Sequence, residues 1–290
     1  MFNITPPQKE GSETFVGLLI LAHRLIGKTS AIVQLPNALL IDLEGHSTAY
    51  ESKCDIINVK KNLKELNDKR QAEGKDANEK KPIHVVTYLK ELAKHLKSQP
   101  KKYDFIIWDT LTTLEQLAIP LANKLFRETS DGVNYTGKNV VTDLGYGKGY
   151  LFLKQALEEI LQPFEGLANV CPIYLGHVST KMQVAQDREI EMTDIDLTSQ
   201  AKKLFTGTTS GTGIMYRSAN GSQNIITFIN RGDSLVVGGR LKHLINKEFV
   251  ISEMVNEKGE PDIAGGTLKT YWERIFPEYF EKLSKSTKTK

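Results

Sequence analysis

Apolar runs too short to be helices alternate with stretches that repeat at helical spacing over the first two thirds of the chain. Phe15-Val16-Gly17-Leu18-Leu19-Ile20-Leu21 has no polar face, as a strand covered on both sides requires. A short helix is predicted to start near Gly27 and stop before Pro36, since the residue ahead of a proline disfavours helical geometry. Ala38-Leu39-Leu40-Ile41-Asp42 reads as a second buried strand and Asp55 to Val59 as a third. Val85, Leu89, Leu92 and Leu96 then share a helical face. Phe105-Ile106-Ile107-Trp108-Asp109 is the next strand, and Leu114, Leu117, Leu121 and Leu125 mark the helix behind it. A helix from about Tyr150 to Phe164 leads into a strand from Pro172 to Leu175.

Polar segments interrupt this rhythm. Residues 62–81 are lysine-rich and poorly periodic, and read as a mobile insertion. Residues 129–149, rich in Gly, Asn and Thr, read as a long loop of the kind that often carries function. Residues 178–200 also read as a loop. Beyond them the pattern changes to short strands with Gly-rich turns, at Gly213 to Arg217, Gln223 to Phe228, Leu235 to Val237 and Phe249 to Glu253. Strands alternating with helices, then strands alone, predict an α/β fold: a mostly parallel central sheet flanked by helices, with antiparallel C-terminal strands. The expected organisation is a lead-in over 1–14, a core over 15–255 that contains the insertion at 62–81, and a C-terminal helix and basic tail over 256–290.

Composition narrows the class. A 40% hydrophobic and 25% charged content is ordinary for a soluble globular chain. No apolar run reaches membrane-spanning length, and the first residues lack a secretory pattern. Cys54 and Cys171 are too few for a disulfide framework or a zinc site, so reduced thiols in a cytoplasmic protein are expected. The net charge of +3 hides an asymmetry: residues 60–102 hold thirteen Lys/Arg against six Asp/Glu, and 282–290 add four lysines and no acid. Such segments attract nucleic-acid phosphates, or form solvated helix faces and tails.

The sharpest chemical signal is Ala22-His23-Arg24-Leu25-Ile26-Gly27-Lys28-Thr29, which fits a Walker A phosphate loop between a strand and a helix. Backbone N–H groups of such a loop, here from Ala22 to Ser30, face phosphates. Gly27 permits close approach, Lys28 reaches the β- and γ-phosphates, and the Thr29 hydroxyl ligates Mg²⁺. Alanine at the first position, where glycine is commoner, resists positive φ. Asp109 ends an apolar strand as a Walker B acid does; it also suits a helix N-cap before 110–115. Glu44, in Ile41-Asp42-Leu43-Glu44-Gly45-His46, is placed to orient or deprotonate an attacking water, or is a surface acid in a turn. Asp42 is expected to support the site. His177, after Pro172-Ile173-Tyr174-Leu175-Gly176, is a candidate γ-phosphate contact, or a structural histidine.

The order of these segments, with Leu144-Gly145-Tyr146-Gly147-Lys148-Gly149-Tyr150 and Leu175-Gly176-His177-Val178, resembles phage-encoded RecA-like ATPases of the AAA-labelled P-loop family. Some members of that family act in single-strand annealing and recombination. Gln34-Leu35-Pro36-Asn37-Ala38-Leu39-Leu40-Ile41-Asp42-Leu43-Glu44 is especially similar to them. The resemblance implies ATP and Mg²⁺ as ligands and a site built from Lys28, Thr29, Asp109, catalytic Glu44 and sensor His177. It also implies hydrolysis between subunits of a homo-oligomer, a ring among its forms, and residence in the host cytoplasm. Arg231, Arg240 and Lys242 are candidates for a basic residue supplied to a neighbour, and equally exposed hairpin charges. Single-stranded DNA would lie against 129–149 and 178–200, although the second stretch is net acidic and neither interleaves basic and aromatic residues. A catalytically weak nucleotide-binding assembly or regulatory subunit is the alternative.

Overall fold

The computed structural model describes residues 15–47, 51–74, 76–100, 102–167, 170–185, 188–230, 232, 234 and 236–287. Strand β1 (Leu18–Ala22) leads into helix α1 (Lys28–Ile32), and β2 (Ala38–Asp42) and β3 (Asp55–Asn58) follow. Helices α2 (Val59–Glu73), α3 (Ala77–Lys80) and α4 (Val85–Ser98) precede β4 (Phe105–Asp109). Helices α5 (Leu111–Arg127), α6 (Val140–Asp143) and α7 (Lys148–Glu165) lead to β5 (Cys171–Ala185) and β6 (Arg188–Ile195). The remainder comprises α8 (Ser199–Thr208), β7 (Gly211–Arg217), β8 (Gln223–Thr227), β9 (Gly238–Gly239), β10 (Glu248–Val255), β11 (Thr267–Thr270) and α9 (Pro277–Thr287).

The main sheet runs β11-β10-β8-β7-β1-β5-β4-β2-β3. The six strands from β7 to β3 are mutually parallel, whereas β8, β10 and β11 add on antiparallel. The expected class, a mixed α/β fold with a mostly parallel central sheet and antiparallel C-terminal strands, is therefore the one observed. Successive strand residues feed opposite faces, as the period of two demands. Leu19, Leu21, Ile41 and Trp108 pack under α4, α5, α7 and α8. Leu18, Ile20, Leu40 and Ile107 pack under α1 and the C-terminal Trp272, Ile275 and Phe276. The Trp272 indole donates to the Ala31 carbonyl at 3.0 Å, tying the last segment to α1.

Three stretches differ from the sequence expectation. Within residues 62–81, α2 runs to Glu73 and α3 spans Ala77–Lys80; residue 75 lies outside the described residues. Helix α2 buries only Val59, which explains its missing periodicity. It is held by side chains instead: Asn67 exchanges bonds with the Ile83 backbone, and Arg70 donates to the Lys81 and Asn78 carbonyls. Residues 178–185 and 188–195 are strand and not loop, because β5 continues past the sheet and pairs with β6 from Val178↔Ile195 to Ala185↔Arg188; 186–187 lie outside the described residues. The 129–149 stretch holds α6, pinned where Asn123 receives the Val140 N–H and donates to the Lys138 carbonyl. The strand expected at 235–237 is not formed over 236–237, where the chain instead reaches the two-residue β9; residue 235 lies outside the described residues.

Both cysteines are free thiols. No helix among the described residues is long and apolar enough to cross a membrane.

Candidate functional site

Parallel pairing aligns the carboxyl ends of β1, β5, β4 and β2, where ligands collect in open α/β sheets. Ala22 pairs with His177, and Asp42 with Asp109, which itself pairs with Leu175. The β1–α1 loop caps this edge. Ala22 closes β1 as an extended residue. The left-handed positions are Leu25 (φ 63) and Gly27 (φ 98), so alanine at the first position meets no positive-φ demand. A non-glycine residue held there costs about 1 kcal/mol, and the Leu25 side chain is 96% exposed. His23 and Arg24 are also exposed, while Ile26 packs partly onto the core. Gly27 precedes Lys28 at the start of α1, and the Ser30 hydroxyl donates to the Gly27 carbonyl at 2.9 Å.

Lys28 is only 7% exposed. Its ammonium lies 3.4 and 3.5 Å from the carbonyls of Ala22 and His23 and 3.2 Å from His177 Nδ1. Burial lowers its pKa, while the Asp109 and Glu44 charges oppose that shift. Thr29 Oγ1 donates to Asp109 Oδ2 at 2.8 Å. Asp109 Oδ1 is buried and has no partner. Desolvation raises the Asp109 carboxyl to about 6 against the Thr29 hydrogen bond. Thr110, not Asp109, is the N-cap of α5, and the peptide between them is cis.

Glu44 faces the same space. Its Oε1 accepts from the Thr110 hydroxyl at 2.7 Å and the Thr113 hydroxyl at 3.3 Å, and lies 3.7 Å from His177 Nε2. The His177 ring, helped by these hydroxyls, holds the Glu44 carboxyl down to about 2 despite partial burial. Asp42 takes no part in that contact. Its two oxygens accept the N–H groups of Glu44, Gly45 and Ser47 and the Ser47 hydroxyl, which fixes the turn presenting Glu44.

The structure thus gathers Lys28, Thr29, Asp109, Glu44 and His177 in one place. It does not bring the trans-acting candidates there. Arg240 donates to the Thr206 and Gly207 carbonyls near the end of α8, Lys242 is exposed beyond β9, and Arg231 lies outside the described residues. Thr110 and Thr113 were missed by sequence reasoning, although hydroxyls three apart after a strand-end acid are the signal that finds them. Arg217 and Asn224, on β7 and β8, also flank the loop, with no local sequence signal. The lysine-rich α2 begins beside the site: Lys60 Nζ donates to the Glu44 carbonyl at 3.2 Å.

No curated protein matches the chain. Among solved structures the chain is similar to the RadB recombinase, with 8% identity, 84% of this chain and 90% of that chain covered, and a TM-score of 0.38. It is also similar to KaiC-like protein PH0186 from the hyperthermophilic archaeon Pyrococcus horikoshii OT3, with 12% identity, 88% and 89% covered, and a TM-score of 0.36. The AAA domain family matches residues 14–231, from ahead of β1 to beyond β8. The chain belongs to the AAA domain family and carries its nucleotide-binding domain.

Proposed function

We propose that this protein is a Mg²⁺-dependent ATPase acting on DNA, of the type that serves phage replication, recombination or repair. The observation that carries the reading is the convergence of Lys28, Thr29, Asp109, Glu44 and His177 at one sheet edge, from four separate segments. Phosphoryl transfer asks a protein mainly for positioning and for charge placed against the phosphates. Lys28 and the N–H groups at the start of α1 supply that charge. Glu44 stays ionised at neutral pH and is an acceptor for the proton of an attacking water. His177 spans Lys28 and Glu44, so the group that reads the phosphate and the group that holds the water share one ring.

The donor set fits Mg²⁺. One hydroxyl and one carboxylate, with a buried Asp109 oxygen lacking a partner, suit an ion that takes few protein ligands and completes its shell with water and phosphate oxygens. No cluster of three metal-ligating side chains occurs among the described residues. Thr29 and Asp109 would hold the ion, which would supply neutralisation of phosphate charge.

Support for a DNA partner is electrostatic. Helix α2, which starts at the rim of the site, carries five basic residues against three acids. One acid of the β5–β6 hairpin is offset from outside it, by Lys202 of α8. Asp194 is fully buried and paired with Lys181 at 2.5 Å and Lys202 at 2.9 Å, so it presents no charge to a phosphate backbone.

The test is phosphate release from ATP with Mg²⁺, with and without single-stranded DNA, for the parent chain and Lys28→Ala. Release stimulated by DNA and lost in the variant supports the reading. Tight nucleotide binding with no release in either condition would replace it with a nucleotide-binding assembly or regulatory subunit.

A further inference from the structure

We infer that Arg217 is a nucleotide-binding residue acting within its own subunit, on the α-phosphate end of the ligand. The inference rests on the ATP-binding reading above. Arg217 is the last residue of β7, the strand that flanks β1 on the side away from β5. Ala22 at the end of β1 pairs with Met215, so Arg217 overhangs the β1–α1 loop by two residues.

Its guanidinium is exposed and lies over that loop. Nη2 is 3.5 Å from the Leu25 carbonyl and 3.4 Å from the Ile26 carbonyl. It also lies 3.9 Å from the point a side chain on Gly27 would occupy. Both carbonyl contacts are long and use one nitrogen, and no described carboxylate pairs with this side chain. A guanidinium carries five N–H donors in a fork that matches phosphate geometry. Most of that fork is unspent at the rim of a phosphate site.

Direction follows from the sheet. Lys28, Asp109, Glu44 and His177 all lie toward β5, β4 and β2, where the terminal phosphate belongs. Arg217 lies on the opposite flank, toward β8. A ligand with its terminal phosphate at Lys28 that crosses Gly27 runs its nucleoside end toward Arg217. Asn224, opposite Arg217 in the β7–β8 register, forms the floor of this flank. Its amide nitrogen lies 3.3 Å from the same Gly27 point and donates to Ser252, and its buried carbonyl oxygen has no partner.

The experiment measures ATP, ADP and pyrophosphate affinity, with steady-state ATP turnover, for the parent, Lys28→Ala, Arg217→Ala and Arg217→Lys. One charge-assisted phosphate contact predicts a loss of about 5- to 20-fold in ATP and ADP affinity for Arg217→Ala. Pyrophosphate affinity and kcat should stay within about twofold on the same grounds, with partial recovery in Arg217→Lys. Equal loss of pyrophosphate affinity would mean that Arg217 only shapes the loop, and would overturn the inference. So would unchanged ATP and ADP affinity, or a fall in kcat with KM unchanged. A parent chain that binds no nucleotide, or binds it equally in Lys28→Ala, would instead sink the ATP-binding reading itself.

Discussion

His177 Nδ1 stands 3.2 Å from Lys28 Nζ, although 149 residues separate the two in sequence. An ammonium has donors and no acceptor, so Nδ1 must accept, and the ring hydrogen falls on Nε2, the edge turned to Glu44. His177→Phe removes both contacts and leaves Lys28 buried with one partner fewer. Its expected effect is a fall in kcat of about 10²-fold or more, the usual scale for a positioned polar group in the reacting site, with ATP affinity changed far less. Stopped-flow binding alongside steady-state turnover separates the two.

Glu44→Gln keeps the acceptor oxygen for Thr110 and Thr113 but removes the charge. Nucleotide binding is expected to survive, with turnover lowered by about 10²- to 10⁴-fold. A variant with parent-like turnover would remove Glu44 from the water-activating role.

The pH dependence of that role has a definite sign. The folded-state pKa of Glu44 is depressed from 4.5 to about 2. The carboxylate therefore stays ionised throughout pH 5–8, and kcat should show no acid limb from this group in that window. Stability linked to Glu44 is fully present above pH 4.5 and lost as pH falls toward 2. The melting-temperature gap between the parent and Glu44→Gln should accordingly be constant from pH 6 to 8 and change only in acid.

Asp194, 0% exposed, depends on Lys181 and Lys202. Lys202→Met leaves a buried carboxylate with one cation, at an expected cost of about 2 kcal/mol, toward the low side for breaking a buried pair because Lys181 remains. Thermal unfolding should shift down by about 3 °C for a chain of this size. Asp194→Asn in the same background should recover part of the loss.

The strands, and the side chains that converge at the candidate site, were legible in sequence for the same reason: both depend on short local signals. Buried parallel strands such as Leu18–Ala22 and Phe105–Asp109 are unbroken apolar runs, and the loop from Ala22 to Thr29 carries its spacing on its face. The hairpin and α2 were not legible, because neither is built on a run or a face of apolar residues. The β5–β6 pairing is a backbone ladder that sets no apolar pattern, and α2 is fastened by Asn67 and Arg70 rather than by an apolar face. Arg217 was invisible for a third reason. Only the placement of β7 beside β1 brings its side chain over Leu25 and Ile26, and nothing near it in sequence announces that neighbour.

Strand β5 runs without a break from Cys171, inside the sheet, to Ala185, in the hairpin. His177 sits where the pairing changes from β1 to β6. The eight residues beyond it span about 26 Å at the usual rise per strand residue. Because the strand is continuous through the crossing, the hairpin is an oar whose rowlock is the histidine. A tilt of about 5° there carries the far end through about 2 Å, so a displacement too small to disturb the core becomes, at the tip, a distance comparable to a hydrogen bond.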